Sequence, residues 1–208
     1  MDHLQQLEER YPRLKPLIPD ITAAFKILAE SFAQGGKLLI AGNGGSSADA
    51  EHIVGELMKS FVKKRKLSES FSETLQKNDP ELAQFLLPKL QPGLPAIALS
   101  GHNSLNTALI NDVDGSITFA QQVLGYGMEG DVLLGISTSG NAKNVLYAAA
   151  CARAKKMKII ALTGGSGGSL GSYADAAIIV PETETYKIQE LHLPVYHSLC
   201  LMLEDHFF

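Results

Sequence analysis

The sequence predicts an α/β fold in which a parallel sheet of five strands is covered by helices on both faces. Five short apolar runs recur along the chain, at KLLIA (37–41), LPAIALS (94–100), DVLLGIS (131–137), MKIIALT (157–163) and AAIIV (176–180). Near-continuous apolar runs of this length are typical of strands that are buried on both faces. Helical patterns lie between them, and this alternation favours parallel strands.

The helices are predicted in chain order from breaks and periodicity. Pro16 and Pro19 divide the polar N-terminus into a short helix and a longer one over 21–34, and Gly35 and Gly36 end the latter. In the longer helix Phe25, Leu28 and Phe32 recur at helical spacing. Further helices are predicted over 47–60, 104–111, 116–124, 141–156 and 186–207.

One segment departs from the regular alternation. Residues 62–93 are long for a connection, and Leu75, Leu82, Phe85 and Leu86 indicate helix with an apolar face. We expect an inserted helical segment that acts as a lid or as a subunit contact. The chain of 208 residues is then one domain over 1–208, with N-terminal helices in 1–36 and the insertion in 62–93.

Composition excludes several classes of protein. A net charge of -4 gives no general attraction for nucleic acid or for an anionic membrane, so neither partner is expected. Cys151 and Cys200 both lie in apolar segments that are predicted to be core, which indicates neither a disulfide framework nor a thiolate zinc site. No stretch reaches the roughly 18 apolar residues that span a bilayer, and the N-terminus has no signal-peptide pattern. A cytoplasmic protein is expected.

The loop after the first strand has the composition of an anion site. It reads Gly42-Asn43-Gly44-Gly45-Ser46-Ser47, and glycines let a ligand approach backbone N–H groups at the start of a helix. Read as a dinucleotide fingerprint it is G-x-G-x-x-S, and the second strand ends in Ser100 rather than in a ribose-binding acid. No Walker motif occurs. A simple tight turn stays an alternative.

Two further loops follow strands. Ser137-Thr138-Ser139-Gly140-Asn141 places three hydroxyl groups at a helix start, where an N-cap would account for one of them. These hydroxyls can hold a phosphate without fixed positive charge. The loop over 163–169 is rich in glycine, and by composition it is predicted to be a flexible connection rather than a site.

Histidine and carboxylate groups occur on two of the predicted helices. His52 and Glu56 are four residues apart and share a helix face, where they could bind a metal, exchange a proton or form an ordinary surface pair. Gln189, His192 and His197 interrupt an apolar stripe on the last helix. This spacing alone does not establish a metal site, because such histidines are often core residues and glutamine is an uncommon ligand.

Four segments together carry a resemblance to a known family. GNGGSSADAEH, GDVLLGISTSGN, ALTGGSGG and IQELH followed by His197 resemble the sugar isomerase (SIS) domain, and most closely phosphoheptose isomerases. The resemblance implies a flavodoxin-like five-stranded parallel sheet, a homotetramer with sites between subunits, and one zinc ion per subunit. It also implies conversion of sedoheptulose 7-phosphate to D-glycero-D-manno-heptose 7-phosphate. We expect this isomerisation to pass through an enediol.

The resemblance assigns roles by position. Glu56 and His197 are our candidates for the catalytic acid and base of the isomerisation. The implied metal ligands are His52, Glu56, Gln189 and His197. The implied substrate contacts are Asn43, Gly44, Gly45, Ser46, Asn111, Asp112, Ser137, Thr138, Ser139 and Gln189.

This sequence departs from the family pattern at three positions. A serine is replaced by Ala142, an arginine by Ser60 with Lys59 nearby, and an acid by Tyr186. These departures concern the identity of the sugar, so an isomerase for another sugar phosphate stays an alternative. A second alternative is a non-catalytic SIS module that binds a sugar phosphate as a sensor or assembles with a replication initiator. Retention of the glutamate and histidine set favours an enzyme.

Overall fold

A five-stranded parallel sheet organises the protein in the computed structural model, which describes residues 3–208. Its strands are β1 (Leu38–Gly42), β2 (Ala96–Ala98), β3 (Val132–Ser137), β4 (Lys158–Gly164) and β5 (Ala176–Val180). The order is β2-β1-β3-β4-β5, which is the flavodoxin-like order, and every neighbouring pair is parallel. The predicted fold class is confirmed. Residues 1 and 2 of the predicted domain lie outside the described residues.

Helices precede the sheet and then alternate with its strands. They are α1 (His3–Arg10), α2 (Ile18–Ala33), α3 (Gly45–Met58), α4 (Glu69–Asn78), α5 (Pro80–Leu86), α6 (Asn103–Asp112), α7 (Thr118–Tyr126), α8 (Lys143–Ala154), α9 (Gly168–Tyr173) and α10 (Thr185–Phe207). Short 3-10 helices span Pro12–Leu17, Leu99–Gly101 and Gly115–Ile117. Helix α2 begins before the predicted start, because Pro19 falls in its first turn, where proline is tolerated.

The two faces of the sheet carry separate apolar cores. On one face Ile40, Leu134 and Ile160 of the strands are packed in one cluster with residues of α2, α3 and α10. On the other face Leu39 and Leu133 are packed with residues of α7, α8 and α9. Helices α3 and α10 therefore lie on the same side of the sheet and contact each other. This packing brings together side chains that are more than 130 positions apart in the sequence, such as those of His52 and His197.

The insertion forms the predicted helices, but its apolar face is largely uncovered in the single chain. Helices α4 and α5 occupy most of the predicted segment, and Ala83 is the buried residue of the two. Leu82 and Phe85 are 59% and 62% exposed. The insertion is anchored at its beginning by Arg65, which is buried against α3 and α10. Its function as a lid or as a subunit contact stays a prediction.

The glycine-rich segment over 163–169 differs from the prediction. It contains the end of β4 and the start of α9, and Gly167 caps α9 in the left-handed conformation. The Gly140 carbonyl accepts a hydrogen bond from Leu170 N–H, so the segment is packed against the loop after β3. The prediction of a flexible connection is wrong, because these tertiary contacts fix a backbone that composition alone would leave free.

The predictions about cysteines and membrane spans can also be compared with the structure. Cys200 is buried as predicted, whereas Cys151 is half-buried, and both thiols are free. Over residues 3–208, none of the helices combines the length and the apolar character that a membrane crossing requires.

Candidate active site

A cavity of about 370 Å³ opens at the carboxyl edge of the sheet. Parallel α/β sheets commonly bind ligands at this edge. The cavity is lined by Asn43, Gly44, Gly45, Ser46, Ile136, Ser137, Thr138, Ser139, Ala142, Thr185 and Gln189. The structure thus brings together the two predicted loops and Gln189. Thr185, which sequence reasoning missed, lines the cavity from the first position of α10, and a hydroxyl residue at a helix start is the signal that could have indicated it.

The first loop depends on glycine at two adjacent positions. Gly44 caps α3 with φ 55° and ψ -122°, a conformation that side chains with a Cβ rarely adopt. At Gly45 a Cβ would stand 2.6 Å from Nε2 of Gln189. The Gln189 side chain therefore packs directly on the loop backbone, and this contact joins the start of α3 to α10.

Three helices begin at the cavity. Gly45 is the first residue of α3, Ala142 is the N-cap of α8, and Thr185 is the first residue of α10. Helix N-termini present free N–H groups and a partial positive charge that attract anions. Among the residues that the structure describes, no lysine or arginine lines this cavity. Helix ends and the hydroxyl groups of the serines and threonines in the lining could therefore bind a phosphate here.

Hydrogen bonds between the loops fix the shape of the cavity. The side-chain amides of Asn43 and Asn144 bond to each other reciprocally, at 2.9 and 2.8 Å. Asn144 also accepts a bond from the N–H of Val145 and so fastens Asn43 to the start of α8. Sequence reasoning did not single out Asn144, because its role depends on a partner 101 positions away.

A second group of polar side chains lies between α3 and α10. His52 Nε2 is 3.2 Å from Glu56 Oε1, and the His52 and His197 ring centroids are 5.0 Å apart. Of the predicted metal ligands, the structure thus brings together His52, Glu56 and His197, while Gln189 lies at the cavity. His192, which lies on the same helix, is fully buried and contacts the Thr163 carbonyl at 3.3 Å, so it is a core residue.

Two atoms of this group lack hydrogen-bond partners. Within residues 3–208, Glu56 Oε2 and His197 Nε2 are buried and make no hydrogen bond, although Lys59 Nζ lies 3.6 Å from Glu56 Oε2 and forms an ion pair with it. Burial, together with the nearby His52, lowers the pKa of His197, which favours a neutral imidazole with a free lone pair. Buried polar atoms without partners are rare and call for an explanation.

A bound divalent metal ion would satisfy these atoms. Two imidazoles, a carboxylate and the Gln189 amide are a donor set that suits zinc or a similar first-row metal. Among residues 3–208, however, no three histidine, cysteine, aspartate or glutamate side chains stand in a geometry that already forms a metal site. The donor chemistry fits, and binding would have to draw these side chains closer together.

Asn111 and Asp112 are not brought to either group. Both are exposed at the end of α6, where the Asn111 amide donates to Asp112 Oδ1 at 2.7 Å, and neither lines the cavity. Their predicted role in substrate binding came from the resemblance alone. It stays a prediction that the single chain does not explain.

Comparison with known proteins identifies the class of the chain. A sequence profile of the SIS domain matches residues 3–86 and 82–164. The phosphoheptose isomerase of Thiobacillus denitrificans is 42% identical over 187 residues, which cover 88% of this chain and 82% of that protein.

Solved structures agree with the sequence matches. A phosphoheptose isomerase from Francisella tularensis is 34% identical with a TM-score of 0.77, and the match covers 96% of this chain and 92% of that one. The enzyme from Neisseria gonorrhoeae is 30% identical with a TM-score of 0.75, covering 97% and 93%. The chain therefore belongs to the phosphoheptose isomerase family of SIS-domain proteins, and the prediction of an isomerase is confirmed.

Proposed function

We propose that this enzyme converts sedoheptulose 7-phosphate to D-glycero-D-manno-heptose 7-phosphate through an enediol, with Glu56 and His197 as acid and base. The relatives named phosphoheptose isomerase support this substrate class. The observation that carries the proposal is a pair of buried atoms that make no hydrogen bond within residues 3–208, Glu56 Oε2 and His197 Nε2. An acid–base pair needs free proton-accepting positions of this kind beside the substrate.

The phosphate would bind in the cavity. The N-termini of α3, α8 and α10 supply partial positive charge there, and Ser46, Ser137 and Ser139 supply hydroxyl donors. This arrangement holds one end of the sugar in place. The rest of the sugar would have to extend along α3 toward Glu56 and His197, which lie outside the lining of this cavity.

The distance between the two groups favours a long sugar. His52 is seven residues beyond Gly45, so it stands about 10 Å further along α3. The Glu56 carboxylate is level with His52, because its Oε1 contacts His52 Nε2. The phosphorus and C1 of a heptose 7-phosphate are eight bonds apart, roughly 9–10 Å at the advance per bond of an extended chain. A pentose phosphate would fall about two bonds short.

The chain's own residues can account for the proton transfers. In the proposed reaction the Glu56 carboxylate moves a proton between C1 and C2, and His197 exchanges protons with the neighbouring oxygens. General acid–base catalysis of this kind contributes roughly 10²–10⁴-fold. The lowered pKa of His197 keeps its imidazole neutral and able to accept a proton near neutral pH.

The proposal includes a zinc ion, because zinc can act as a Lewis acid in this reaction. When bound by His52, Glu56, Gln189 and His197, it would polarise the substrate carbonyl and stabilise negative charge on the enediol oxygens. Glu56 and His197 would then each alternate between metal ligand and acid–base group, because the lone pair that binds a metal cannot accept a proton at the same time.

Assembly and location complete the proposal. We place the enzyme in the cytoplasm as a homotetramer with sites between subunits, as the resemblance implies. The exposed position of Asn111 and Asp112 supports this, because such residues could reach the site of a neighbouring subunit.

The test replaces Glu56 by glutamine and compares it with Glu51→Gln, an exposed residue of the same helix. Glu56→Gln should lower kcat by at least 10²-fold, because the amide cannot accept the proton. Binding of the sugar phosphate, measured by calorimetry, should change little, and Glu51→Gln should behave as wild type. Loss of binding together with turnover would instead indicate that Glu56 maintains the fold.

A further inference from the structure

A buried tyrosine links the two helices of the candidate site. Tyr196 of α10 is 2% exposed, and its hydroxyl lies 3.0 Å from His52 Nδ1 on α3. The same hydroxyl donates a hydrogen bond to Asp49 Oδ1 at 3.2 Å. Asp49 is three residues before His52, almost one helical turn, so the two side chains flank the phenol from the same helix.

The direction in which the Tyr196 hydroxyl donates its proton determines which ring nitrogen of His52 is protonated. Because Tyr196 donates that proton to Asp49, its oxygen can only accept a hydrogen bond from His52. The neutral His52 ring must then carry its proton on Nδ1, and Nε2 presents a lone pair.

This tautomer has a consequence on the opposite side of the ring. Nε2 of His52 faces Glu56 Oε1 at 3.2 Å, and a lone pair there would meet an oxygen that also only accepts. Two acceptors at this distance repel unless a cation or a proton lies between them. Asp49 and Tyr196 thus favour binding of a cation or a proton between His52 Nε2 and Glu56 Oε1.

We propose that Asp49 and Tyr196 are positioning residues that hold His52 in the Nδ1–H tautomer and so direct its Nε2 lone pair toward the site. The inference rests on the proposed function in one respect, because it takes His52 as a zinc ligand. Partners of this kind behind a metal-binding histidine commonly fix its tautomer and orientation, and their loss costs about 10–100-fold in metal affinity or activity.

Two variants test the contributions of Tyr196 and Asp49 separately. Tyr196→Phe removes the hydroxyl and retains the ring, which packs edge-on against His52 with centroids 5.5 Å apart. Asp49→Leu removes the acceptor and retains similar volume, which frees the phenol proton to turn toward His52 Nδ1. Tyr147→Phe, at an exposed tyrosine of α8, is the matched control.

The first readout is the 15N spectrum of His52 in metal-free full-length protein at a pH where the ring is neutral. We expect the Nδ1–H tautomer in wild type and in Tyr147→Phe, a mixture in Tyr196→Phe, and predominantly Nε2–H in Asp49→Leu. Wild-type protein with Nε2–H, or variants that retain the wild-type tautomer, would overturn the inference.

The second readout is zinc affinity, measured by competition with a chelator. Tyr196→Phe should bind zinc about 10–100-fold more weakly than wild type, and Tyr147→Phe should be unchanged. An unchanged affinity in Tyr196→Phe would contradict the inference. If wild type binds no zinc, the metal in the proposed function fails, and the tautomer measurement still decides the role of Asp49 and Tyr196.

Discussion

Replacing Glu204 by glutamine should lower the free energy of unfolding more than a Glu→Gln substitution in an exposed ion pair does. Glu204 lies in α10 and forms an ion pair with Arg65, and both side chains are almost fully buried, at 0% and 1% exposure. Its carboxylate also accepts hydrogen bonds from the N–H groups of Phe61, Val62 and Lys63. Burial by itself would raise the pKa of Glu204, but these donors and Arg65 outweigh it and lower the pKa.

The pair connects the insertion to the helix that carries Glu56. Arg65 donates to the carbonyls of Glu56 at 2.9 Å and of Leu57 at 2.6 Å, close to the end of α3. It therefore binds α3 and α10 at the same time. Loss of its counter-charge should loosen the backbone that supports the Glu56 side chain, so catalytic activity should fall with stability.

The magnitude follows from the burial of both charges. Removing one partner of a buried ion pair leaves an uncompensated charge and costs about 3–5 kcal/mol. Glutamine retains one accepting oxygen, so the three backbone N–H groups are also only partly satisfied. Whole proteins have free energies of unfolding of about 5–15 kcal/mol, so the loss is a large fraction of the total. At roughly 2–4 °C per kcal/mol, the midpoint of thermal unfolding should fall by about 6–20 °C.

The assay is urea denaturation followed by far-UV circular dichroism, since the chain contains no tryptophan. All variants are compared at one protein concentration, because assembly would make the apparent stability depend on it. The control is Glu129→Gln, which breaks an exposed pair with Lys156 and should cost less than about 1 kcal/mol. A loss of stability in Glu204→Gln no greater than in the control would show that the buried ion pair contributes little to the free energy of unfolding.

Two further predictions concern glycines of the loops and a buried histidine. Gly140→Ala should lower the unfolding midpoint sharply, because the new Cβ would collide with the backbone of Gly167 and the φ angle at this position is 65°. Gly45→Ala should fold, because its Cβ meets only the end of the Gln189 side chain, which can move. The variant should bind sugar phosphate weakly, because Gln189 is displaced. Equal unfolding midpoints for the two variants would contradict this contrast. Burial lowers the pKa of His192 to about 4, so as pH falls from about 6.5 to 4 the unfolded chain gains a proton that the folded chain does not, and stability drops by up to about 3 kcal/mol. His192→Asn should remove that part of the pH dependence of denaturation, and an identical slope in the variant would argue against it.

The sheet could be predicted from sequence because its strands carry an unambiguous local signal. All five apolar runs became strands, and the loops after β1 and β3 line one cavity, since carboxyl ends of parallel strands meet at one edge. Helix α9 was missed because glycine and serine dominate its sequence. Its buried Leu170 is held by tertiary contacts, including a place in the core with Leu133.

The residues of the candidate site also differ in how far the sequence could predict them. His52 and Glu56 could be paired from their spacing on one helix, whereas spacing alone could not relate them to His197. The Arg65–Glu204 pair joins residues 139 positions apart. Tyr196 reads in sequence as one more apolar residue of α10. Such partners depend on how α3 and α10 pack, which no local pattern encodes.

The proposed isomerisation is best tested by measuring turnover of sedoheptulose 7-phosphate by the purified, metal-stripped protein with and without added zinc, following formation of the aldose phosphate. We expect zinc-dependent conversion, which Glu56→Gln should lower by at least 10²-fold and Glu51→Gln should leave unchanged. No conversion in the presence of zinc, with binding of the sugar phosphate still detectable, would contradict it and would point to another ketose phosphate or to a sensor.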